Sequence, residues 1–525
     1  MTVTVILILG ASAAAFGLSF AQAKINARHG TDHAVHSFLI DCIRGNGGRG
    51  FVRIPRLINE AYIGALPLYL HWIFARFSNR TMRVAEVILN PAVNAIHTCA
   101  VGGVAFFVAR ELDASDMFAG VAALLFAFTP QFYHALSARN FGLSARSLGL
   151  IFLSCVFFFT WLSGQSDAGW IAWAMLIFSC FLVIAFSTFG LQVLVLVGAV
   201  LTILGYWQIA LGAFGGVVLF LIVHPRYSVG YLVNTARFIA AYSQELAPRY
   251  VLARRFSIWR DLYRDIWTKF RNEGFKAGFR YAYENSFLIL AGLNPLTLLA
   301  ATGYLAFNPF ADGSLLDFAG AVALGGVAIM LLTSVRPLRF LGEPERYVES
   351  VTPFAVLFAT GLLYSLAIEA TIAVIALFSV LCLAQVQASR ILARYLSQKP
   401  LSLDNVQALI TAEQEEVRLA SNNEQYIKLM LINPWVFSYC IAVGHGSCGM
   451  KIAEAFDPFP YLTREALQRI VEEYRINYCI LDRQRFDTIF DERPRALTGH
   501  DILLETEGIR LVRLEWRNDA TIVFR

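Results

Sequence analysis

Residues 147–224 decide the fold, and they read SLGLIFLSCVFFFTWLSGQSDAGWIAWAMLIFSCFLVIAFSTFGLQVLVLVGAVLTILGYWQIALGAFGGVVLFLIVH. They are almost continuously apolar and are broken only at SGQSDAG, at STFG and near Gly205-Tyr206. A helix rises 1.5 Å per residue, so about 18 to 20 apolar residues cross the hydrocarbon core of a bilayer. The stretch therefore predicts four consecutive membrane spans of about 18 residues each.

Composition extends this prediction to most of the chain. Of the 525 residues, 57% are hydrophobic and only 15% are charged, whereas a soluble globular chain carries about 25% charged residues. Apolar runs of span length recur throughout the first 395 residues. The sequence predicts a polytopic α-helical membrane domain over residues 1–396, with about 11 transmembrane helices. Lys and Arg exceed Asp and Glu by 43 to 38, so net charge does not select a class of partner.

The predicted spans follow from the positions of the apolar runs. They lie near residues 2–22, 84–109, 117–134, four times within 147–224, and near 286–306, 315–335, 350–366 and 369–393. The first run ends in Ala-Gln-Ala, which leaves two interpretations open: a signal peptide with an A-x-A cleavage site, or a retained first helix. The missing positively charged n-region and the length of the run favour the retained helix.

The first long polar segment, residues 24–83, is predicted to be the first catalytic loop. It is too polar to cross a bilayer and about twice as long as a simple connection between helices. Asp32, His33 and His36 fall within about one helical turn, so they can share a face, and Asp41 follows. The segment ends in an aromatic, proline-containing stretch, YIGALPLYLHWIFARF. We expect a site built at a bilayer surface.

A second polar segment, residues 225–285, holds 11 Lys and Arg against 5 Asp and Glu, interleaved with Trp, Tyr and Phe. This pattern is typical of amphipathic helices in a membrane interface. An eleven-span count puts both polar segments, the loop at 131–146 and the GEPERY loop on one face of the membrane. The positive-inside rule would place that basic face in the cytoplasm.

Residues 397–525 are predicted to form a small soluble α/β domain, of a usual size for an independent unit. The stretch LSLDNVQALITAEQEEVRLA favours an amphipathic helix. IKLMLI, NYCILD and IRLVRLEW favour strands, and REALQRIVEEY, between the first two, favours a helix.

Carboxylates and arginines at the membrane surface are the candidate site residues. Asp32 is the strongest candidate for a general base, because partial burial would raise its pKa toward the working range; the alternative is a solvated loop residue or a helix cap. Asp41 and Glu343 are weaker candidates, and Asp41 can instead pair with Arg44. Arginines at span ends can hold phosphate in a planar fork or contact lipid headgroups. They are Arg139, Arg146, Arg336, Arg339 and Arg346.

The sequence contains no motif that is typical of a nucleotide-binding, hydrolase or metal site. No GxxxxGK[ST] motif, Ser-His-Asp pattern or HExxH pattern is present, and no Cys/His spacing points to a metal. No cofactor and no nucleic-acid partner are therefore expected. GEPERY, residues 342–347, clusters Glu343, Arg346 and Tyr347 just before a span; a charged turn between helices is the alternative interpretation.

Taken together, these pieces resemble the GT-C superfamily of integral membrane glycosyltransferases, which includes protein mannosyltransferases, lipid A aminoarabinose transferases and oligosaccharyltransferase catalytic subunits. The likeness rests on the acidic first loop (GTDHAVHSFLIDCIR), the aromatic segment after it, the Arg-rich connection ALSARNFGLSARS, the element GEPERYVES and the closing α/β domain. These features cover nearly the whole chain. The loop at 131–146 has no DxD-like acidic pair and the closing domain has no WWD run, so the metal-independent branch fits better.

The resemblance implies a function and an orientation. A polyprenyl-phosphate-linked sugar is the donor, Asp32 acts in catalysis, and Arg139, Arg146 and Arg346 bind the donor phosphate, with His33, His36 and Tyr347 in support. The acceptor is a glycan, lipid or protein, and membrane lipids surround the spans. The catalytic loops and the closing domain lie outside the cytoplasm, as expected for a multi-pass protein of a bacterial inner membrane. Two other interpretations stay open: a transporter or flippase of lipid-linked saccharide, and a non-catalytic scaffold of a polysaccharide export assembly.

Overall fold

The computed structural model describes most of the helical domain and parts of the C-terminal domain. The described residues are 2–26, 31–48, 67–135, 143–241, 243, 262–366, 368–397, 417–421, 436–439, 463–482, 497–505 and 509–516.

Helices make up the described part of the first 397 residues. They are α1 Thr2–Asn26, α2 Thr31–Gly45, α3 Tyr69–Phe74, α4 Asn79–Glu111, α5 Met117–Ala127, α6 Arg146–Ser163, α7 Trp170–Phe186, α8 Thr188–Ile203, α9 Gln208–Val223, α10 Pro225–Ala241, α11 Leu262–Glu284, α12 Ser286–Leu293, α13 Pro295–Phe307, α14 Leu315–Ser334, α15 Glu345–Leu366 and α16 Ile368–Ser397. Short 3₁₀ helices, Pro130–Tyr133 and Arg336–Leu341, lie upstream of α6 and α15.

Every predicted span coincides with helical structure, which confirms a polytopic α-helical membrane protein. Six described helices are long and apolar enough to cross a membrane: α1, α4, α6, α14, α15 and α16. The pair α12–α13 makes a seventh if it counts as one span; it bends by 88° at Asn294, where Pro295 begins the second half. The remaining predicted spans are shorter apolar helices, namely α5 with its 3₁₀ extension, α7, α8 and α9.

The break between α7 and α8 shows why the short helices end where they do. Ser187 is extended (φ −144°, ψ 110°), and its side chain accepts a hydrogen bond from the backbone N–H of Gly190. A serine that caps the next helix in this way satisfies a backbone donor that no helical carbonyl reaches. The STFG sequence therefore ends one helix and begins the next.

Side-chain hydrogen bonds define one end of the helix bundle, which we call the site end. It holds the C-termini of α1 and α16 and the N-termini of α6 and α15. Gln22 of α1 donates to Ser389 of α16 across 3.2 Å. Gln131, in the 3₁₀ helix before α6, donates to the Glu345 carbonyl at the start of α15 across 2.9 Å. These contacts agree with the predicted sorting of the long polar segments to one face.

The opposite end is held by a second set of hydrogen bonds. Trp161, near the C-terminus of α6, donates from its indole N–H to the Gly313 carbonyl before α14 across 3.1 Å. The Tyr206 hydroxyl, between α8 and α9, donates to the Asp317 carboxylate across 2.8 Å. The short loops at this end are therefore tied to one another.

The first helix is an integral part of the bundle. Asn94 of α4 donates to Ser19 of α1 across 2.7 Å, and Ala11 and Ala15 are buried. A Cβ added at Gly120 of α5 would come within 2.7 Å of Leu7, so α1 and α5 approach each other as closely as glycine allows. In this structure α1 therefore packs against both α4 and α5.

The second polar segment forms a helix and a folded-back helical element. Within α11, Gly274 has φ 84° and ψ 176°, a conformation open essentially to glycine alone. Tyr281 donates to Asp265, sixteen residues away, across 3.2 Å, so the two halves of α11 lie side by side. Exposed aromatic side chains on this element are Tyr263, Trp267, Phe275 and Phe279. Aromatic rings beside basic side chains suit the headgroup region, as the sequence predicts.

The described parts of the C-terminal domain form a five-stranded sheet in the order β2-β1-β3-β5-β4. The strands are β1 Val417–Ser421, β2 Val436–Tyr439, β3 Tyr478–Asp482, β4 Leu497–Glu505 and β5 Ile509–Trp516. The first three are parallel, and β5 pairs antiparallel with β3 and β4. One helix, α17 Arg464–Glu473, begins after Thr463, whose side chain accepts from the Ala466 N–H.

Predictions in this domain are partly correct. NYCILD and IRLVRLEW are strands and REALQRIVEEY is a helix, as predicted. The end of the predicted amphipathic helix is wrong, because Val417–Ala420 belong to β1, where parallel pairing with β2 and β3 outweighs helical periodicity. Strands β2 and β4 were not predicted. The predicted strand IKLMLI lies outside the described residues.

Candidate functional site

A cluster of charged side chains lies at the site end, where α6 and α15 begin. We call Arg146, Glu343, Glu345, Arg346 and Glu349 the charged cluster. Arg146 donates to the Glu349 carboxylate across 3.2 Å, and the two side chains are only 13% and 4% exposed. Arg346 is ion-paired with Glu343, and its guanidinium lies over the Phe189 ring, 5.5 Å from the centroid. Charges buried at a membrane surface indicate a functional site.

Local sequence sets the geometry of the cluster. Gly342 has φ 98°, which turns the chain after the 3₁₀ helix, and α15 begins at Glu345, directly after Pro344. Glu345 and Glu349 are four residues apart and therefore neighbours on one helix face. Tyr347 is fully buried and donates its hydroxyl to the Leu341 carbonyl across 2.9 Å. Tyr347 thus holds the turn that presents the charges.

Amides link the cluster to the bend between α12 and α13. The Asn294 side-chain amide, fully buried, donates to Gln131 across 2.7 Å and to Thr352 across 2.8 Å. Its carbonyl oxygen accepts from Thr297. Every polar atom of this buried amide is therefore satisfied, as a low-dielectric position requires. The network fixes the broken span against α15.

A second group of polar side chains joins α2 to α3. The His36 Nδ1 and His71 Nε2 atoms are 2.8 Å apart, and His71 is fully buried. Arg44 donates to the Ala75 carbonyl across 3.2 Å, and to the Asp41 carboxylate across 3.1 Å. The helix that carries Asp32 and Asp41 is therefore attached at both its middle and its C-terminus.

Burial sets the protonation of this region. It lowers the pKa of His71 well below the usual value, and the neighbouring His36 lowers it further, while the Pro67 carbonyl acts in the opposite direction. Burial also raises the pKa of Tyr69 to about 12, and its hydroxyl hydrogen-bonds His224. Trp72 packs on Tyr227, with ring centroids 4.9 Å apart. The aromatic stretch after the first loop thus packs against α9 and α10.

Comparison with solved structures identifies the fold. No family model and no curated protein matches the chain. The oligosaccharyltransferase of Archaeoglobus fulgidus in the apo form matches with a TM-score of 0.52 at 12% identity, over 90% of this chain and 69% of that chain. The fold is that of the GT-C membrane glycosyltransferases.

Two other GT-C structures are similar at lower scores. ArnT from Cupriavidus metallidurans bound to undecaprenyl phosphate gives a TM-score of 0.43 at 14% identity, over 97% of both chains. The Archaeoglobus fulgidus oligosaccharyltransferase in complex with Zn and sulfate gives 0.45 at 13% identity, over 89% of this chain and 68% of that chain.

The structure brings some predicted site residues together. Arg146, Glu343 and Arg346 share the charged cluster. Asp41 is half exposed and ion-paired with Arg44, as its alternative interpretation expects. Asp32 and His33 lie in the first turn of α2, but their side chains are outside the described residues, as are the Arg336 and Arg339 side chains and the whole of Arg139.

Sequence reasoning missed several residues of the site end. His71 lies in an aromatic stretch and Glu349 lies four residues after Glu345; helical spacing could have indicated only the second. Gln131 and Asn294 gave no signal, because the partners that join them to other helices are more than fifty residues away in the chain.

Among the residues that the structure describes, no group of three or more His, Cys, Asp or Glu is arranged to hold a metal ion. Guanidinium groups at the site end can bind phosphate, and its carboxylates and imidazoles can transfer protons.

Proposed function

We propose that this protein is a membrane glycosyltransferase that moves a sugar from a polyprenyl-phosphate-linked donor to an extracytoplasmic glycan, lipid or protein in cell-surface glycoconjugate synthesis. One observation carries the proposal: in a GT-C fold, an almost buried arginine, Arg146, and a partly buried one, Arg346, are each ion-paired with a glutamate at the end of the bundle where α6 and α15 begin.

Arg146 and Arg346 are proposed to bind the donor phosphate, and Arg139 is proposed as a third phosphate-binding residue. Both described arginines are ion-paired with glutamates, and Glu343, Glu345 and Glu349 all act on the Arg146 charge together with Arg346. Donor binding is therefore an exchange, in which the phosphate replaces a carboxylate at a guanidinium. A guanidinium group can bind two oxygens of a carboxylate or two oxygens of a phosphate.

The proposed reaction is a displacement at the anomeric carbon. The acceptor hydroxyl attacks that carbon, its C–O bond to the phosphate breaks, and polyprenyl phosphate leaves with the electron pair. Asp32 takes the proton of the hydroxyl, and the arginines stabilise the charge that develops on the phosphate. Asp41 and Glu343 are the alternative bases. Direct displacement inverts the configuration of the sugar.

Cofactor and orientation belong to the same proposal. The reaction as written needs no metal, because guanidinium groups neutralise the leaving group. The site end, with both polar segments and the C-terminal domain, is proposed to face away from the cytoplasm in a bacterial inner membrane. The positive-inside rule is weakest for long loops, and in this chain the basic residues lie largely in long loops.

The test uses the purified full chain in nanodiscs with radiolabelled undecaprenyl-phosphate sugars. Release of free undecaprenyl phosphate that requires an added glycan, lipid or peptide acceptor is the expected result. Movement of the labelled lipid between leaflets without cleavage would instead identify a flippase. Neither cleavage nor movement, with lipid binding absent, would refute the proposal and favour a scaffold.

A further inference from the structure

Exposed aromatic and basic side chains meet on the folded-back element α11, beside the site end. Its last residue, Glu284, is followed by Asn285, which caps α12, the first half of the broken span. Tyr283 stacks on His134 with ring centroids 4.4 Å apart, and its hydroxyl accepts from the Ala135 N–H across 3.3 Å. These contacts fix α11 to the bundle at the level where a span begins, which is the surface of the bilayer.

The inner faces of the two halves of α11 are occupied by each other. The Phe270 ring packs on Gly278, where a Cβ would have no room, and it also contacts the Phe275 ring, with centroids 5.6 Å apart. The hydrogen bond from Tyr281 to Asp265 belongs to the same contact. The outer faces are therefore what α11 offers to a partner.

The outer face of each half carries a pair of exposed aromatic side chains. Tyr263 and Trp267 belong to the first half, and Phe275 and Phe279 belong to the second; all four are between 56% and 78% exposed. The members of each pair are four residues apart and are therefore neighbours on one side of the helix. Next to a membrane span, the boundary between headgroups and acyl chains supplies the apolar surroundings that such rings need.

Basic side chains lie beside both aromatic pairs. The exposed basic residues are Arg264, Arg271, Lys276 and Arg280. Three of them directly follow an exposed aromatic residue, and Arg271 lies one turn after Trp267. Neighbouring residues of a helix are about 100° apart around its axis. Each half of α11 therefore presents an aromatic stripe with basic side chains along its edge.

Acidic side chains offset only part of this charge. The element has five Lys and Arg against three Asp and Glu. The Glu284 side chain is only 5% exposed, and Asp265 takes part in the inner contact. The outer surface is therefore positive and complements an anionic membrane surface.

We propose that α11 binds anionic phospholipid of the surrounding membrane. Its exposed aromatic side chains insert at the boundary between headgroups and acyl chains, and the neighbouring basic side chains bind the lipid phosphates. Each basic side chain near the surface increases the affinity for an anionic membrane about fivefold. Lipid binding of this kind requires neither donor sugar nor acceptor, so it is tested apart from glycosyl transfer.

The first experiment measures which lipid contacts Trp267. The full chain is placed in phosphatidylcholine vesicles that contain a minor fraction of acyl-brominated phosphatidylglycerol or acyl-brominated phosphatidylcholine. The Trp267 emission is the difference between wild type and Trp267→Phe. Brominated phosphatidylglycerol should be preferred at this side chain about fivefold or more. Equal quenching by the two lipids overturns the selectivity. Absence of quenching by either lipid overturns the placement, and means that a protein surface or a second copy of the chain covers α11.

The second experiment changes the charge. Arg271→Gln with Lys276→Gln should bring the quenching of Trp267 by the two lipids close to equality, while quenching by phosphatidylcholine persists because the aromatic side chains still insert. Arg464→Gln with Arg469→Gln, on α17 of the C-terminal domain, removes the same charge elsewhere and should keep the preference. An unchanged preference in the α11 variant, or an equal loss in both variants, overturns the assignment to α11.

Salt provides a test on the wild-type protein, which no substitution can unfold. At 1 M salt the Debye length is about 3 Å, so the preference for phosphatidylglycerol should fall while quenching by phosphatidylcholine stays. A preference that survives 1 M salt overturns the electrostatic recognition of the lipid.

Discussion

The Arg146 guanidinium at the first turn of α6 donates to the Glu349 carboxylate one turn into α15, across 3.2 Å and almost out of contact with solvent. Removal of one partner of a buried ion pair leaves an uncompensated charge, whereas replacement of both by apolar residues costs little. The ion pair joins α6 to α15, which are about two hundred residues apart in the sequence, at the place where donor phosphate is proposed to bind.

Variants of Arg146 and Glu349 should affect the stability of the protein and its binding of the donor lipid in different ways. Glu349→Gln should destabilise the protein by roughly 3–5 kcal/mol and tighten undecaprenyl phosphate binding, because the competing carboxylate is lost. Arg146→Met with Glu349→Leu should restore stability and abolish lipid binding. Unfolding free energies and native mass spectrometry measure the two effects. The exposed pair Lys269–Glu273 is the control, and its removal should cost less than about 1 kcal/mol. Unweakened lipid binding in the double variant would refute the role of Arg146.

Asp32→Asn should lower turnover by roughly 10²-fold or more, because an amide cannot accept the proton. Donor affinity should hardly change, since donor binding is assigned to the arginines. Asp113→Asn, at the opposite end with φ 50°, is the matched control, because asparagine accepts that backbone conformation and should keep full activity. Near wild-type turnover in Asp32→Asn would move the base to Asp41 or Glu343.

Gly274→Ala should open the folded-back α11. Its backbone conformation costs a residue with a Cβ of order 1–3 kcal/mol, enough to separate the two halves. Hydrogen exchange across residues 262–284 should become faster. Gly230→Ala in α10 has open space for a Cβ and no positive φ, and should leave exchange unchanged. Equal exchange in both variants would mean that Gly274 is not the hinge.

Asp317 should hold the loops of the opposite end without affecting the site. Its carboxylate accepts from Tyr206, from Asn308 across 2.7 Å and from the Gly313 N–H across 3.0 Å. Burial and the Asp317 charge raise the pKa of Tyr206, so its hydroxyl keeps donating at any physiological pH. Tyr206→Phe should cost about 1.5–3 kcal/mol, seen as a lower Tm, with unchanged undecaprenyl phosphate binding. Loss of lipid binding would place Asp317 in the functional machinery.

Reporter fusions should place the two ends on opposite sides of the membrane. Fusions at Gly47, Asn272 and Arg483 should report an extracytoplasmic position, and fusions at Asp113 and Gly313 a cytoplasmic one. Alkaline phosphatase and fluorescent-protein activities distinguish the two. A cytoplasmic signal at the first three sites would contradict the proposed orientation and support the charge rule.

Sequence periodicity and composition were sufficient for the membrane domain, because a span must satisfy its backbone polar groups within one continuous apolar helix. Short apolar runs likewise located the strands NYCILD and IRLVRLEW. The local sequence pattern failed at Val417–Ala420, where pairing with distant strands decided the structure.

The sequence by itself determined the spans, the long polar segments at one end, the arginines at the starts of α6 and α15, and the candidate base on α2. Only the tertiary structure decided the partners: Glu349 for Arg146, His71 for His36, and Gln131 with Thr352 for Asn294. The physical reason is that bilayer insertion depends on runs of neighbouring residues. Pairing of buried polar groups instead depends on which helix ends meet, and those ends come from distant parts of the chain.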